Sequence, residues 1–147
     1  MRLVLTVLLA QHDRLGLAMA QKTYASHLQL LADQRWQALA QAGARPQRVL
    51  WASTSTKNPD LPDTYYLGRL AAPNTIDTVP EKTLLAFADH GTLDDRLEPD
   101  YAAAERTIAA AADAGVDTDA LAEHLQRHGA GAFTADWAAL LTAIKEK

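Results

Sequence analysis

The run Arg48–Asn58, RVLWASTSTKN, places four consecutive hydroxyl residues and then a lysine at the end of an apolar stretch. The apolar half, Val49-Leu50-Trp51-Ala52, has the composition of a buried parallel strand. Burial supplies no reason for Ser53-Thr54-Ser55-Thr56-Lys57-Asn58. Hydroxyls, free backbone N–H groups and one ammonium at the carboxyl end of a strand suit a bound phosphate. In an α/β barrel, that end of each strand is where active sites sit. The alternative for the same residues is a polar, proline-terminated loop solvated by water.

Other chemistry-bearing residues make weaker patterns. His124 and His128 lie four apart, a spacing that on a helix can hold a metal. They lack the glutamate of an H-E-x-x-H arrangement and a nearby third ligand, so two solvated histidines near a helix end are the expected reading. His90, before Gly91, reads as a helix terminus and not as a general base. Asp77 falls in a second strand, where its carboxylate could point to a barrel centre. Hydrogen bonding to Thr75 or Thr78 at the strand end is the preferred expectation. No serine has a convincing His–Asp pair, and no glycine-rich loop follows a strand, so nucleotide binding is unsupported. Trp36, Trp51 and Trp137 are dispersed and fit core or interface packing. They lack the basic neighbours of a stacking platform.

Bulk properties narrow the classes. A chain of 147 residues fits one domain with a real core. A formal charge of −4 argues against a nucleic-acid or anionic-membrane surface. The chain has no cysteine, which excludes disulfides, thiolate metal sites and a cysteine nucleophile. Abundant alanine favours helix. Together these features point to a cytoplasmic, helix-rich chain.

The elements that must position the hydroxyl run can be read from caps and breakers. Met1–Ala10 is apolar after one arginine and is too short for a membrane helix, which needs about twenty apolar residues. A buried strand is favoured there over a signal-peptide core, because Leu8 and Ala10 make a poor cleavage site. Asp13 then caps a helix to about Ala32, and Asp33 caps a shorter one over Gln34–Ala42, ended by Gly43. After the strand Arg48–Ala52, Pro59, Pro62 and Asp63 delay helix until about Thr64. A second strand spans Asn74–Val79, stopped by Pro80, and Glu81–Asp89 is helix. Asp100 caps Tyr101–Ala114. Asp117 or Thr118 caps a helix to His128 that Gly129 ends, and Thr134 caps a final amphipathic helix carrying Trp137, Leu140, Leu141 and Ile144.

Strand–helix–strand–helix in the middle implies a parallel unit. A closed barrel needs eight strands and about 250 residues. The two or three strands visible here would leave open edges. The expected fold is therefore α/β and helix-rich, a partial (β/α)₈ TIM barrel comprising only the last strands and helices.

The segments GLAMAQKTYASHL, RWQALAQAGARPQRVLWASTSTKNPDLPDTYYLGRL, APNTIDTVPEKTLLAFADHG and GAFTADWAALL are ordered and spaced as in a known family. From about Gly16 onward the chain resembles the carboxyl-terminal part of a bacterial transaldolase, in the subfamily related to fused transaldolase/glucose-6-phosphate isomerase. The resemblance implies a (β/α)₈ barrel that transfers a dihydroxyacetone unit between sugar phosphates, without a cofactor, through a lysine Schiff base. Such a lysine needs a pKa depressed by burial or cationic neighbours. A carboxylate pair and a positioned water would shuttle the protons. The resemblance makes Arg48–Asn58 the seventh strand and Asn74–Pro80 the eighth. It assigns the substrate phosphate to Ser55 and Lys57, the latter often arginine in the family. Lysine offers a point charge without a bidentate fork.

The family's Schiff-base strand, reading I-K-I-P or similar, is absent, as are its catalytic aspartate strand followed by T-N-P and its acidic strand. Lys22, Lys57, Lys82, Lys145 and Lys147 all lack the buried strand context that lowers a lysine pKa. The expected organisation is an unmatched apolar segment over 1–13 and a transaldolase-like barrel portion over 14–147, inactive alone, with no catalytic residue and no metal. The expected partners are a sugar-phosphate substrate and the missing barrel portion, or a second copy through exposed apolar surface. No nucleic acid or membrane is expected. The alternative is a non-catalytic module for sugar-phosphate binding or subunit assembly.

Overall fold

The structure is a computed structural model that describes the backbone of residues 2–56 and 58–146, and the side chains from residue 14 within those limits. Its elements run α1 (Arg2–Ala32), α2 (Gln34–Gln41), β1 (Val49–Ala52), α3 (Tyr65–Arg69), β2 (Thr75–Thr78), α4 (Glu81–His90), α5 (Tyr101–Asp113) and α6 (Thr118–Lys145). The fold is helix-rich α/β with a small parallel sheet. The chain divides into two compact units, Met1–Ala109 and Ala110–Lys147.

In the first unit, β1 and β2 pair in parallel, with Val49 opposite Thr75, Leu50 opposite Ile76, Trp51 opposite Asp77 and Ala52 opposite Thr78. Strand side chains alternate between faces, so Trp51 and Asp77 share one face and Leu50 and Ile76 the other. Trp51 packs against the apolar cluster of Ala20, Tyr24, Leu70 and Leu97. Its indole Nε1 donates to the Leu70 carbonyl at 3.1 Å. Tyr24 crosses the same layer, its hydroxyl donating to the Pro73 carbonyl at 3.2 Å. The opposite face stays open: Leu50 is 53 % and Ile76 38 % exposed. Parallel sheets are ordinarily covered on both faces.

The aspartate caps at 33, 100 and 117 fall where the sequence places them. The Asp33 carboxylate accepts from the Arg35 N–H, and Asp100 accepts from the Ala103 N–H. Asp117 accepts from the N–H groups of Asp119 and Ala120. Each satisfies an otherwise orphaned helical donor. Gly43 and Gly115, with φ of 94° and 90°, close α2 and α5 in the left-handed region.

Two expectations are overturned. The amino-terminal run expected as a strand is helical, and α1 continues through Asp13, so no helix starts there. Leucine and alanine are strong helix formers, and extending an existing helix needs no new nucleus. No proline or glycine stops the run before Gly16. In the second unit, α6 is one continuous helix through Gly129, Gly131 and Thr134. A glycine costs a helix interior about 1 kcal/mol, too little to end one flanked by alanines. Thr134 is not a cap; its hydroxyl donates back to the Ala130 carbonyl at 2.9 Å.

Candidate functional site

The carboxyl ends of β1 and β2 lie side by side, and two side-chain bonds stitch them together. The Thr78 hydroxyl donates to the Trp51 carbonyl at 3.2 Å. The Thr54 hydroxyl donates to Asp77 Oδ1 at 2.9 Å. Between these bonds the chain leaves β1 through Ser53, a non-glycine residue at φ 60°. That left-handed conformation costs an L residue roughly 1–2 kcal/mol and persists where neighbouring contacts enforce it. Thr54 is buried, whereas Ser55 and Thr56 are half-buried.

Beyond Thr54 the loop folds on itself. The Thr56 hydroxyl donates to the Pro62 carbonyl at 3.2 Å. Asn58 makes an Asx turn, its Oδ1 accepting from the Asp60 N–H at 3.0 Å. Pro59 and Pro62 lack N–H donors and fix φ, which keeps the segment out of helix until α3. Gly68 anchors the far end, because α3 approaches the Thr92 backbone so closely that a Cβ would lie 2.7 Å from its carbonyl oxygen. Arg69 adds a 2.7 Å contact to Asp95 and stacks over the Tyr65 ring at 4.3 Å. A cavity of about 450 Å³ opens beside the strand end, lined by Gly16, Met19, Trp51, Ser53, Thr54 and Tyr66 among others.

Of the residues assigned to phosphate, Ser55 sits in this loop, and among the described residues its hydroxyl makes no hydrogen bond. Lys57 lies outside the described residues. The expectation for Asp77 is extended: beside the Thr78 backbone, which favours its ionised form, the carboxylate accepts a side-chain bond from Thr54, 23 residues earlier. The Trp51–Asp77 register brings that carboxylate beside the emerging loop, while Thr75 and Thr78 donate to the Ala72 and Trp51 carbonyls. Burial pushes the Asp77 carboxyl above its ordinary pKa, and the Thr54 bond opposes part of that shift. Its Oδ2 is buried with no hydrogen-bond partner among the described residues.

A second charged group escaped the sequence reading. His90 closes α4, and its Nε2 meets Asp63 Oδ1 at 2.9 Å while Nδ1 meets Asp89 Oδ2 at 3.2 Å. Asp63 first, then Asp89, raises the His90 pKa, and His90 in turn lowers that of Asp63. The partners Asp63 and His90 are 27 residues apart, so no local motif announces them. In the second unit, the His124 and His128 rings lie parallel with centroids 6.2 Å apart and exposed. Among the described residues no group of three histidine, cysteine or carboxylate side chains could hold a metal ion. No described helix is long and apolar enough to cross a membrane.

The arrangement offers hydroxyls, turned backbone and a neighbouring cavity at the carboxyl end of a parallel strand pair. None of the described lysines lies on a strand. The family model for transaldolase/fructose-6-phosphate aldolase matches residues 6–144. A transaldolase of Frankia alni is 45 % identical over 139 residues, covering 94 % of this chain and 38 % of that protein. A transaldolase of Acidothermus cellulolyticus is 47 % identical over 130 residues, covering 88 % and 35 % respectively. One from Thermobifida fusca is 42 % identical over 139 residues, with 94 % and 38 % covered. The chain thus spans little more than a third of the length of these relatives, and it belongs to the transaldolase/fructose-6-phosphate aldolase family.

Proposed function

We propose that this chain is the carboxyl-terminal part of a transaldolase-type (β/α)₈ barrel, and that Ser55 and Lys57 hold the phosphate of a sugar-phosphate substrate in the cytoplasm. Residues 14–147 supply the last two strands and their helices, with β1 seventh and β2 eighth. The observation that carries this reading is the hydroxyl-rich turn stitched to the carboxyl end of a parallel strand pair. A phosphate there meets hydroxyl donors and an ammonium, each charge-assisted bond contributing about 1.5–3 kcal/mol. The open Leu50–Ile76 face supports a larger barrel, because both residues are apolar and uncovered.

The chain by itself does not turn over substrate. Schiff-base transfer needs a free amine at neutral pH, which requires a lysine in a buried or cationic setting. The lysines whose side chains are described, Lys22, Lys82 and Lys145, lie on helices. Lys22 pairs with Glu105 at 2.9 Å.

The test is titration of the chain with fructose 6-phosphate and, as control, fructose, followed by calorimetry and a transfer assay. Binding of the phosphate ester alone, weakened about tenfold or more in Lys57→Ala and in Ser55→Ala, supports the subsite. Equal binding by both variants removes it, and turnover by the chain alone overturns the non-catalytic reading. A second reading, subunit assembly, is favoured by one observation in α6: Phe133, Trp137, Leu140 and Ile144 are 80 %, 61 %, 51 % and 62 % exposed. Under that reading, Trp137→Asp abolishes a complex seen by sedimentation, and Lys57→Ala leaves it intact.

A further inference from the structure

We propose that Asp77 is the positioning residue of the anion-binding loop: its Oδ1 holds the Thr54 hydroxyl across the strand ends and fixes where Ser53–Thr56 stands. The inference rests on the phosphate reading of that loop and deepens it by naming what sets its geometry. Asp77 does not touch the anion; it acts through Thr54.

Three observations carry it. Thr54 is the one buried residue among Ser53–Thr56, so the loop is anchored at that side chain. Ser53 stands at φ 60° immediately before it, a conformation that persists where surrounding contacts over-determine it. Asp77 reaches Thr54 from the neighbouring strand with a 2.9 Å bond. The bonds from Thr56 to Pro62 and from Asp60 to Asn58 lie within the loop itself, and the Asp63–His90 contact ties its far end to α4, not its near end to the sheet. The Thr54–Asp77 bond ties the near end.

The state of the carboxyl group agrees with this role. Oδ2 is buried and, among the described residues, makes no hydrogen bond, so the side chain sits there at a cost that its Oδ1 bond to Thr54 and the Thr78 backbone offset in part. A residue needed merely to fill the strand position would be better served by an apolar one, since threonine, valine and isoleucine all suit half-buried strands. A carboxyl oxygen accepts from a hydroxyl in either ionisation state, as does the amide oxygen of asparagine. Holding Thr54 therefore needs the acceptor and not the charge, and this separates the proposal from an electrostatic role.

The experiment measures binding of inorganic sulfate and of fructose 6-phosphate to the full chain and its variants, with the urea midpoint of each protein recorded alongside. Sulfate does not titrate near neutrality, so ligand protonation does not enter. Asp77→Asn should bind both anions within about twofold of the wild type, because the acceptor is retained. Asp77→Ala and Thr54→Val should each weaken binding about fivefold to tenfold, the effect of one lost hydrogen bond. The double variant should be no weaker than either single one, which marks one shared interaction. Loss of stability with unchanged affinity in Asp77→Ala overturns the positioning role, as does additivity in the double variant. Failure of the wild type to bind either anion overturns the phosphate reading instead. A wild type that binds through Lys57 beside an Asp77→Ala protein of equal affinity leaves that reading standing and removes this one.

Discussion

Replacing Gly68 by alanine tests whether the far end of the hydroxyl loop is held by backbone packing. Gly68 is buried within α3, the helix into which the loop runs. A Cβ there would lie 2.7 Å from the Thr92 carbonyl oxygen, and because that atom is backbone, no rotamer change relieves the overlap. Overpacking of this kind costs about 1–3 kcal/mol. Alanine in place of a helical glycine returns about 0.8–1 kcal/mol, which leaves a net destabilisation of about 1 kcal/mol. Gly16→Ala provides the comparison within the same unit. Its Cβ would meet the Tyr66 hydroxyl at 3.6 Å, an ordinary contact, so the gain of about 0.8–1 kcal/mol survives. The variants should lie on opposite sides of the wild type, about 2 kcal/mol apart. Urea titration followed by far-UV circular dichroism reads this as a shift in midpoint at unchanged slope. A Gly68→Ala protein as stable as Gly16→Ala would refute the close approach of α3 to Thr92, and with it the anchoring of the loop.

Two further expectations concern pH. Asp63 and Asp89 raise the His90 pKa, so a histidine-resolved NMR titration should place it above its ordinary 6.5, and Asp63→Asn should bring it back towards that value. The sign for stability follows: the His90 contribution is fully present below the ordinary histidine pKa and is lost as pH rises through the raised folded value. The complementary Asp63 contribution is present above the ordinary 3.8 and is lost as pH falls through its lowered folded value. Asp77 behaves oppositely, since burial raises a carboxyl pKa and makes the ionised form a liability in the folded chain. Asp77→Asn should therefore be more stable than the wild type at neutral pH, with the difference shrinking as pH falls through the raised folded value and gone below 3.8. Urea midpoints measured across pH 3 to 8 check both trends; a wild-type advantage over Asp77→Asn at neutral pH would contradict the assigned cause.

What the sequence determined by itself is local. The aspartate caps at 33, 100 and 117, the left-handed glycines at 43 and 115, and the proline-bounded loop after β1 each depend on groups within a few residues of one another. Those contacts form wherever the chain adopts the element, so residue type and spacing suffice. Family membership is legible for a related reason, since an ordered series of such segments records ancestry without reference to contacts. Element ends and long apolar runs were harder. Met1–Ala10 has a composition compatible with strand or helix, and continuity with the helix that follows decided between them. Likewise Gly129 and Thr134 carry stop and start signals that a long alanine-rich helix overrides.

The pairings that shape the candidate site belong to tertiary structure alone. Asp77 meets Thr54 across the strand ends because the parallel register sets Trp51 opposite Asp77, and that register follows from burying Trp51 against Leu70 and α1. His90 finds Asp63 only because α4 ends where the loop after β1 turns. Sequence spacing cannot announce either contact: the residues are 23 and 27 positions apart, and a hydrogen bond is decided by tenths of an ångström that only the packed elements supply.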